Sequence, residues 1–351
     1  MKLNRKLLAQ MRSATRSLWK AGPISPGTVV RQAMQHAGAV QREAKYQMQQ
    51  QMRDFAVPPT VAFADASPAT AAPSRALLTG RFIDGSYANA AGRRDYKLYV
   101  PASYSGSPVP LVVMLHGCGQ DPDDFAKGTG MNALAEEVGC LVLYPAQSGS
   151  ANHSRCWNWF NAVDQRRDQG EPSIIAGMTL QIMDHHAVDP SQVYVAGLSA
   201  GGAMATIMGT QYPDLYAAVG VHSGLPFASA SDLSSAMAAM KGDFRRAPAP
   251  DQALPIIVFH GDRDTTVHPA NGDELVRHLA QPGMTEPGRV PDGHAYTRTV
   301  YPGDDGILHA EHWLVHGAGH AWSGGNARGS YTDGRGPDAS REMMRFFRTR
   351  R

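Results

Sequence analysis

The sequence predicts an α/β protein with a doubly wound, mostly parallel sheet that carries helices on both faces. Three observations predict it. Residues 111–115 and 141–144 are short, continuous apolar runs, as is typical of parallel strands buried on both faces. Segments with helical spacing of apolar residues alternate with these runs, which indicates βα units. Residues 192–202 begin as a β-branched apolar run and then contain Gly-Leu-Ser-Ala-Gly at 197–201.

The composition fits one large globular domain with an extension. Of the 351 residues, 42% are hydrophobic and 18% are charged, so a sizeable core can form. The formal net charge of +2 argues against a dedicated nucleic-acid-binding protein. The cysteines Cys118, Cys140 and Cys156 are too few for a disulfide framework, although they allow one bridge and one free thiol.

The first 75 residues differ from the rest. Residues 1–55 are basic up to Glu43, and their first apolar residues recur at helical spacing. This pattern predicts a partly helical N-terminal extension that could associate with an anionic, lipid-coated surface. The segment lacks the uninterrupted apolar core of a secretory signal. Residues 56–75 are rich in Ala, Pro and Ser and predict a flexible linker, which leaves 76–351 for the main domain.

Within residues 76–351, strand-like and helix-like segments alternate as the fold class requires. Residues 225–250, which are rich in Ala and Ser, predict a small cap or an excursion over the end of the sheet. The predicted strands are residues 96–100, 111–115, 141–144, 192–198, 216–221 and 256–259. The predicted helices are residues 125–138, 174–187, 203–208 and 339–347.

The Gly-Leu-Ser-Ala-Gly segment has the features of a nucleophile elbow. A strand precedes it and a helix follows at once, so Ser199 would lie at the tip of a strained turn. The turn requires small residues at Gly197 and Gly201, because strand and helix nearly touch there. The elbow predicts the α/β-hydrolase fold, with Ser199 as nucleophile and the Ala200 N–H directed at the developing oxyanion.

A serine nucleophile needs a histidine base and an acid that orients the histidine. In α/β hydrolases both follow the serine, each on a loop after a strand. Residues 255–264 are a strand that runs into an acidic loop, and either Asp262 or Asp264 could be the acid. Residues 312–322 are a strand that runs into a glycine-flanked His320, which we prefer as base to His316 at the strand end.

The second oxyanion donor is predicted in Leu115-His116-Gly117-Cys118-Gly119-Gln120. This segment follows an early buried strand, as the oxyanion loops of esterases do. We assign the backbone amide of Cys118 as the partner of Ala200.

With these residues assembled, the chain resembles the poly(3-hydroxybutyrate) depolymerase-like esterase family of α/β hydrolases, which also includes feruloyl and acetylxylan esterases. The matching stretches follow the family order. They are Leu115-His116-Gly117-Cys118, Thr129-Gly130-Met131-Asn132, Tyr144-Pro145, Cys156-Trp157-Asn158-Trp159-Phe160, Gly197-Leu198-Ser199-Ala200-Gly201, His260-Gly261 with Asp264, and Gly319-His320-Ala321-Trp322-Ser323-Gly324-Gly325.

The resemblance implies several further features. It places the acid at Asp264 and a disulfide between Cys118 and Cys156. It implies an extracellular protein, whereas the lack of a clear secretory signal favours a cytoplasmic or granule-associated one. Three tryptophans, Trp157, Trp159 and Trp322, would line a hydrophobic substrate cleft, although each could instead be a core residue.

The predicted function is that of a cofactor-independent serine carboxylesterase for short-chain hydroxyacyl esters of the polyhydroxyalkanoate type. A feruloyl or acetylxylan esterase is the alternative. Family members that attack crystalline polyester carry a further domain after the catalytic one, so we expect little attack on crystalline polymer.

Two further hypotheses come from other features of the sequence. A surface-associated protein with weak activity would use the N-terminal helix. A metal-dependent hydrolase would need a helix that brings together His309, His312, His316 and His320.

Overall fold

The computed structural model describes residues 80–244, 254–277, 282–303 and 308–349. The chain divides into two units between Pro59 and Thr60, and all described residues belong to the second unit. The predicted extension at 1–55, its expected surface association and the predicted linker at 56–75 lie outside the described residues.

The domain is organised around a ten-stranded sheet with a parallel centre and antiparallel edges. The strands follow the order β1-β2-β4-β3-β5-β6-β7-β10-β9-β8, and the six from β4 to β10 are parallel. The predicted mostly parallel sheet is therefore confirmed. The strands are β1 (Arg81–Asn89), β2 (Gly92–Val100), β3 (Val109–Leu115), β4 (Leu141–Pro145), β5 (Val188–Leu198), β6 (Ala218–His222), β7 (Ile256–Gly261), β8 (Thr285–Arg289), β9 (Ala295–Pro302) and β10 (Leu308–Val315).

Helices connect the parallel strands and cover the sheet. None of the helices in the described ranges is both long and apolar enough to cross a bilayer. A short parallel pair, β11 (Trp322–Ser323) and β12 (Thr332–Asp333), lies outside the main sheet. The helices are α1 (Pro122–Thr129), α2 (Met131–Val138), α3 (Gly170–His185), α4 (Ala200–Gln211), α5 (Leu233–Met240), α6 (Ala270–Val276) and α7 (Ala339–Arg348).

The core lies on both faces of the central strands. Val112 and Met114 of β3 belong to a cluster that includes Phe125 of α1 and Phe347 of α7. The alternate residue Val113 points to the opposite face and is also fully buried. Because both sets are shielded from water, the continuous apolar pattern of β3 follows directly from its central position.

The predicted helix at 125–138 is two helices. Helix α1 begins after Asp121, whose carboxylate accepts a hydrogen bond from the Asp124 amide at 2.9 Å. It ends at Gly130, which has φ 64° and donates its amide to Ala126. The apolar spacing continues through this break, so periodicity alone did not reveal it. Within the predicted excursion at 225–250, the structure contains the single helix α5 in the described part.

The turn between β5 and α4 depends on a close backbone approach to β3. A β-carbon added to Gly201 would overlap the carbonyl oxygen of Leu115, and one added to Gly197 would overlap that of Gly201. Both neighbours are backbone atoms, which cannot move aside as a flexible side chain can. The two glycines are therefore required by the packing of α4 against the end of β3.

We expect Gly201→Ala to lower the free energy of unfolding by about 1–3 kcal/mol, because the methyl group overpacks against backbone. Urea denaturation measures this change. The matched control is Gly149→Ala, where an added β-carbon meets open space. Equal stability of the two variants would contradict the packing argument.

Candidate active site

Ser199 occupies the turn that joins β5 to α4. Its backbone has φ 57° and ψ −121°, a conformation that costs free energy for a residue other than glycine. Its amide donates to the carbonyl oxygen of His222 at 2.9 Å. Ala200 is the first residue of α4, so its N–H has no acceptor within the helix and lies at the positive end of the helix dipole.

His320 and Asp264 are joined by a hydrogen bond of 2.7 Å between Nδ1 and Oδ2. Asp264 follows β7 and His320 lies beyond β10, and these two strands are adjacent and parallel. The other carboxylate oxygen of Asp264 accepts the amides of Thr266 and Val267 at 2.9 and 2.8 Å. The carboxylate is thus held rigidly, with one oxygen directed at the histidine.

Asp264 remains ionised. Burial raises the pKa of its carboxyl group, but the charge of His320 and the hydrogen bonds from His260 and His320 outweigh burial and hold the pKa well below its ordinary value. A carboxylate can only accept hydrogen bonds, so Nδ1 of His320 carries a proton, and when the imidazole is neutral Nε2 holds the lone pair. This is the tautomer that a general base requires.

The alternative acid, Asp262, belongs to a separate pair. Its Oδ2 lies 3.0 Å from Nδ1 of His316, and its Oδ1 accepts the Gly317 amide at 2.7 Å. Both side chains are more than a third exposed, at 35% and 38%. Asp262 therefore stabilises the turn after β10 and does not contact His320.

The loop after β3 is tied to the segment after β4. A disulfide joins Cys118 to Cys156, and the Gly119 amide donates to Ser154 at 2.8 Å. His116 fixes the start of the loop, because its Nε2 accepts the Gln147 amide at 3.1 Å. Since β3 and β5 are paired up to Leu115 and Gly197, the Cys118 loop and the Ser199 turn leave the sheet side by side.

A buried polar network supports the Cys156–Phe160 segment. The Glu171 carboxylate accepts the amide and the side-chain amide of Asn158 at 2.7 and 2.8 Å, and it also accepts Gln147. Arg94 pairs with it at 3.2 Å. The sequence did not identify Arg94, Gln147 and Glu171, because they lie far apart in the chain and belong to no motif. The local sign of this network was the polar Asn158 between two tryptophans.

The three tryptophans that were expected to line a cleft are buried. Trp157 has no exposed surface, and its indole N–H donates to the His116 carbonyl oxygen at 3.1 Å. Trp322 is 1% exposed and donates to the Ser340 hydroxyl at 3.1 Å. Trp159 is 5% exposed and packs edge-on against Phe160. The rings fill the core, and the indole N–H groups of Trp157 and Trp322 bond to the protein.

The four histidines of the metal hypothesis do not share a helical face. His309 and His312 lie on strand β10, and His316 and His320 follow it in the turn and loop. The described ranges contain no group of three or more His, Cys, Asp or Glu side chains that could hold a metal ion.

Comparison with known proteins gives the family of this domain. The model of the family described as Esterase PHB depolymerase matches residues 94–285, which is more than half of the chain. The chain belongs to this family. Solved structures share the α/β-hydrolase fold. Acetyl xylan esterase from Aspergillus awamori has a TM-score of 0.58 at 22% identity and covers 73% of this chain and 94% of its own.

The curated relatives include poly(3-hydroxyalkanoate) depolymerases, feruloyl esterases and acetylxylan esterases. Poly(3-hydroxyalkanoate) depolymerase C from Paucimonas lemoignei is 34% identical over 62% of this chain and 56% of its own length. Feruloyl esterase B from Thermothelomyces thermophilus is 30% identical over 51% of this chain and 67% of its own. The chain spans about half the length of the depolymerases that it matches, with 56% and 51% covered.

We expect Asp264→Asn to lower kcat for p-nitrophenyl butyrate by about 10⁴-fold, because the amide no longer selects the tautomer with Nε2 as base. Steady-state kinetics measures this loss. Asp262→Asn is the matched control on the same loop, and its kcat should remain near that of the wild type. A larger loss in the Asp262 variant would assign the acid to the other pair.

Three buried neutral histidines make stability depend on pH. Burial lowers the pKa of His116 and His312 to about 4 and that of His222 to about 3. In the unfolded chain these groups titrate near 6.5. Between these values the unfolded chain binds more protons, so stability falls as the pH is lowered from about 6.5 toward 4.

We therefore expect a falling thermal midpoint between pH 6.5 and 4, with about 1.4 kcal/mol per pH unit from each histidine. Replacing His312 by Gln removes one titrating group and should flatten the dependence. Asp264 contributes at lower pH than the histidines. Its lowered pKa adds stability above about pH 4, and this stability is lost on further acidification. A midpoint independent of pH down to 4 would contradict the expectation.

Proposed function

We propose that this protein is a serine carboxylesterase that hydrolyses short-chain hydroxyacyl esters of the polyhydroxyalkanoate type. One observation carries the proposal: Ser199 stands on a strained turn at the sheet edge where His320 is hydrogen-bonded to the ionised Asp264. A serine at such a turn with an oriented histidine base is suited to acyl transfer.

In the proposed reaction, Nε2 of His320 takes the proton of Ser199 while Oγ attacks the ester carbonyl carbon. The carbonyl oxygen becomes an oxyanion that accepts hydrogen bonds from the amides of Ala200 and Cys118. His320 then protonates the departing alcohol, which leaves an acyl-enzyme. Water, deprotonated by His320, attacks this ester, the bond between the acyl carbon and Oγ of Ser199 breaks, and His320 returns the proton to Oγ as the acid leaves. Each oxyanion donor would contribute about 10²–10³-fold to the rate.

The named depolymerase relatives support the hydroxyacyl class, and a feruloyl ester is the second candidate because Feruloyl esterase B is also a relative. Since the tryptophans are buried, the substrate would contact other apolar residues. Val163 is 49% exposed in the short 3-10 helix Ala162–Gln165, and the Gln165 side chain donates to the carbonyl oxygen of Ala230 in the loop after β6 at 2.7 Å. The loop after β4 and the loop after β6 therefore lie next to each other at the carboxyl edge of the sheet.

Ser199→Ala should abolish hydrolysis of p-nitrophenyl butyrate and labelling by a serine-directed phosphonate, while the thermal midpoint remains that of the wild type. EDTA should leave the wild-type activity intact. Hydrolysis by the alanine variant at the wild-type rate would remove the proposal.

A panel of hydroxybutyrate oligomers, methyl ferulate and acetylated xylan then decides the ester class. We expect the highest kcat/KM on the oligomers. A higher value on methyl ferulate would replace the hydroxyacyl class by the feruloyl class, with the serine mechanism unchanged.

A further inference from the structure

His222 is a buried histidine that the proposed mechanism does not use. It ends β6, which pairs with β5 so that His222 stands opposite Leu198, next to the Ser199 turn. Its side chain lies between the rings of Phe259 and Trp322, with ring centroids at 5.8 and 5.2 Å. The residue is only 1% exposed, so a substrate at the surface does not reach it.

Both nitrogens of the His222 ring have partners in the protein. Nε2 accepts the backbone amide of Ser323 at 2.9 Å. Because an amide only donates, Nε2 holds a lone pair and Nδ1 carries the proton, which it donates to the Ser223 hydroxyl at 3.1 Å. Burial, with the charges of His260 and His320, lowers the pKa of His222 to about 3, so Nε2 stays an acceptor at neutral pH.

The Ser323 amide belongs to the segment that carries His320. Ser323 lies in β11, three residues after His320, and the neighbouring amides of Trp322 and Gly324 donate to Tyr331 and Asp333 at 2.7 and 2.8 Å. The bond to His222 attaches this segment to the end of β6. The backbone carbonyl oxygen of His222 also accepts the amide of Ser199, at 2.9 Å.

We propose that His222 is a positioning residue that sets the separation between Ser199 and His320. Its carbonyl oxygen accepts the amide of Ser199, and its imidazole accepts the Ser323 amide in the segment that carries His320. The inference rests on the proposed function, because it assumes that Ser199 and His320 react together. Displacing reacting groups by about 1 Å lowers a rate by about a hundred-fold.

A pair of amide variants separates positioning from packing. In His222→Gln the side-chain oxygen reaches the place of Nε2 and can accept the Ser323 amide. In His222→Asn the same group is one methylene shorter and does not reach it. We expect the Asn variant to lose about a hundred-fold in kcat with KM unchanged, and the Gln variant to recover most of that loss.

The measurements are kcat, KM and the thermal midpoint of both variants on p-nitrophenyl butyrate. Equal losses of kcat in the two variants, or wild-type kcat in the Asn variant, would overturn the inference. His222→Phe, which fills the slot between Phe259 and Trp322 without an acceptor, replaces the Asn variant if that protein does not fold.

Two variants separate the positioning role of His222 from the serine mechanism. If wild type and Ser199→Ala hydrolyse the ester equally, the serine mechanism itself is wrong. If Ser199→Ala is inactive while His222→Asn keeps the wild-type kcat, the mechanism stands and the positioning role is wrong.

Discussion

The site depends on the close contact between the start of α4 and the end of β3. Gly197 and Gly201 leave no room for side chains, so the chain turns sharply and Ser199 adopts φ 57°. Parallel strands end at the same edge of the sheet, and the loops after β3, β7 and β10 therefore leave the sheet at the edge where this turn stands. The Cys118 loop, Asp264 and His320 thus share one edge of the sheet with the hydroxyl group of Ser199.

Fixed polar contacts hold these loops before any substrate arrives. Asp264 accepts two backbone amides besides His320, and His116 accepts the Gln147 amide at the start of the Cys118 loop. The Glu171 carboxylate holds the segment around Asn158, because it accepts the Asn158 amide. Groups that are already oriented need little reorganisation when charge develops, which is the main source of electrostatic stabilisation in a water-poor site.

The two aspartates after β7 show how little of such a site follows from spacing. Asp262 and Asp264 stand on one loop, yet one bonds to His316 and the other to His320. The choice follows from the register of β7 against β10, in which Gly261 is opposite Val315. The tryptophans show the same limit, because a large apolar ring with one donor suits a cleft and a core equally well until its neighbours are known.

The sequence by itself determined the α/β fold, the turn at Ser199 and the strand-and-loop segments that carry Asp264 and His320. These features depend on local periodicity and on steric limits within a few residues, which a linear pattern records. Only the tertiary structure paired His320 with Asp264, buried Trp157 and Trp322, and placed His222 between Ser199 and Ser323. Those outcomes depend on strand register and on contacts between distant segments, and no single stretch of the chain contains that information.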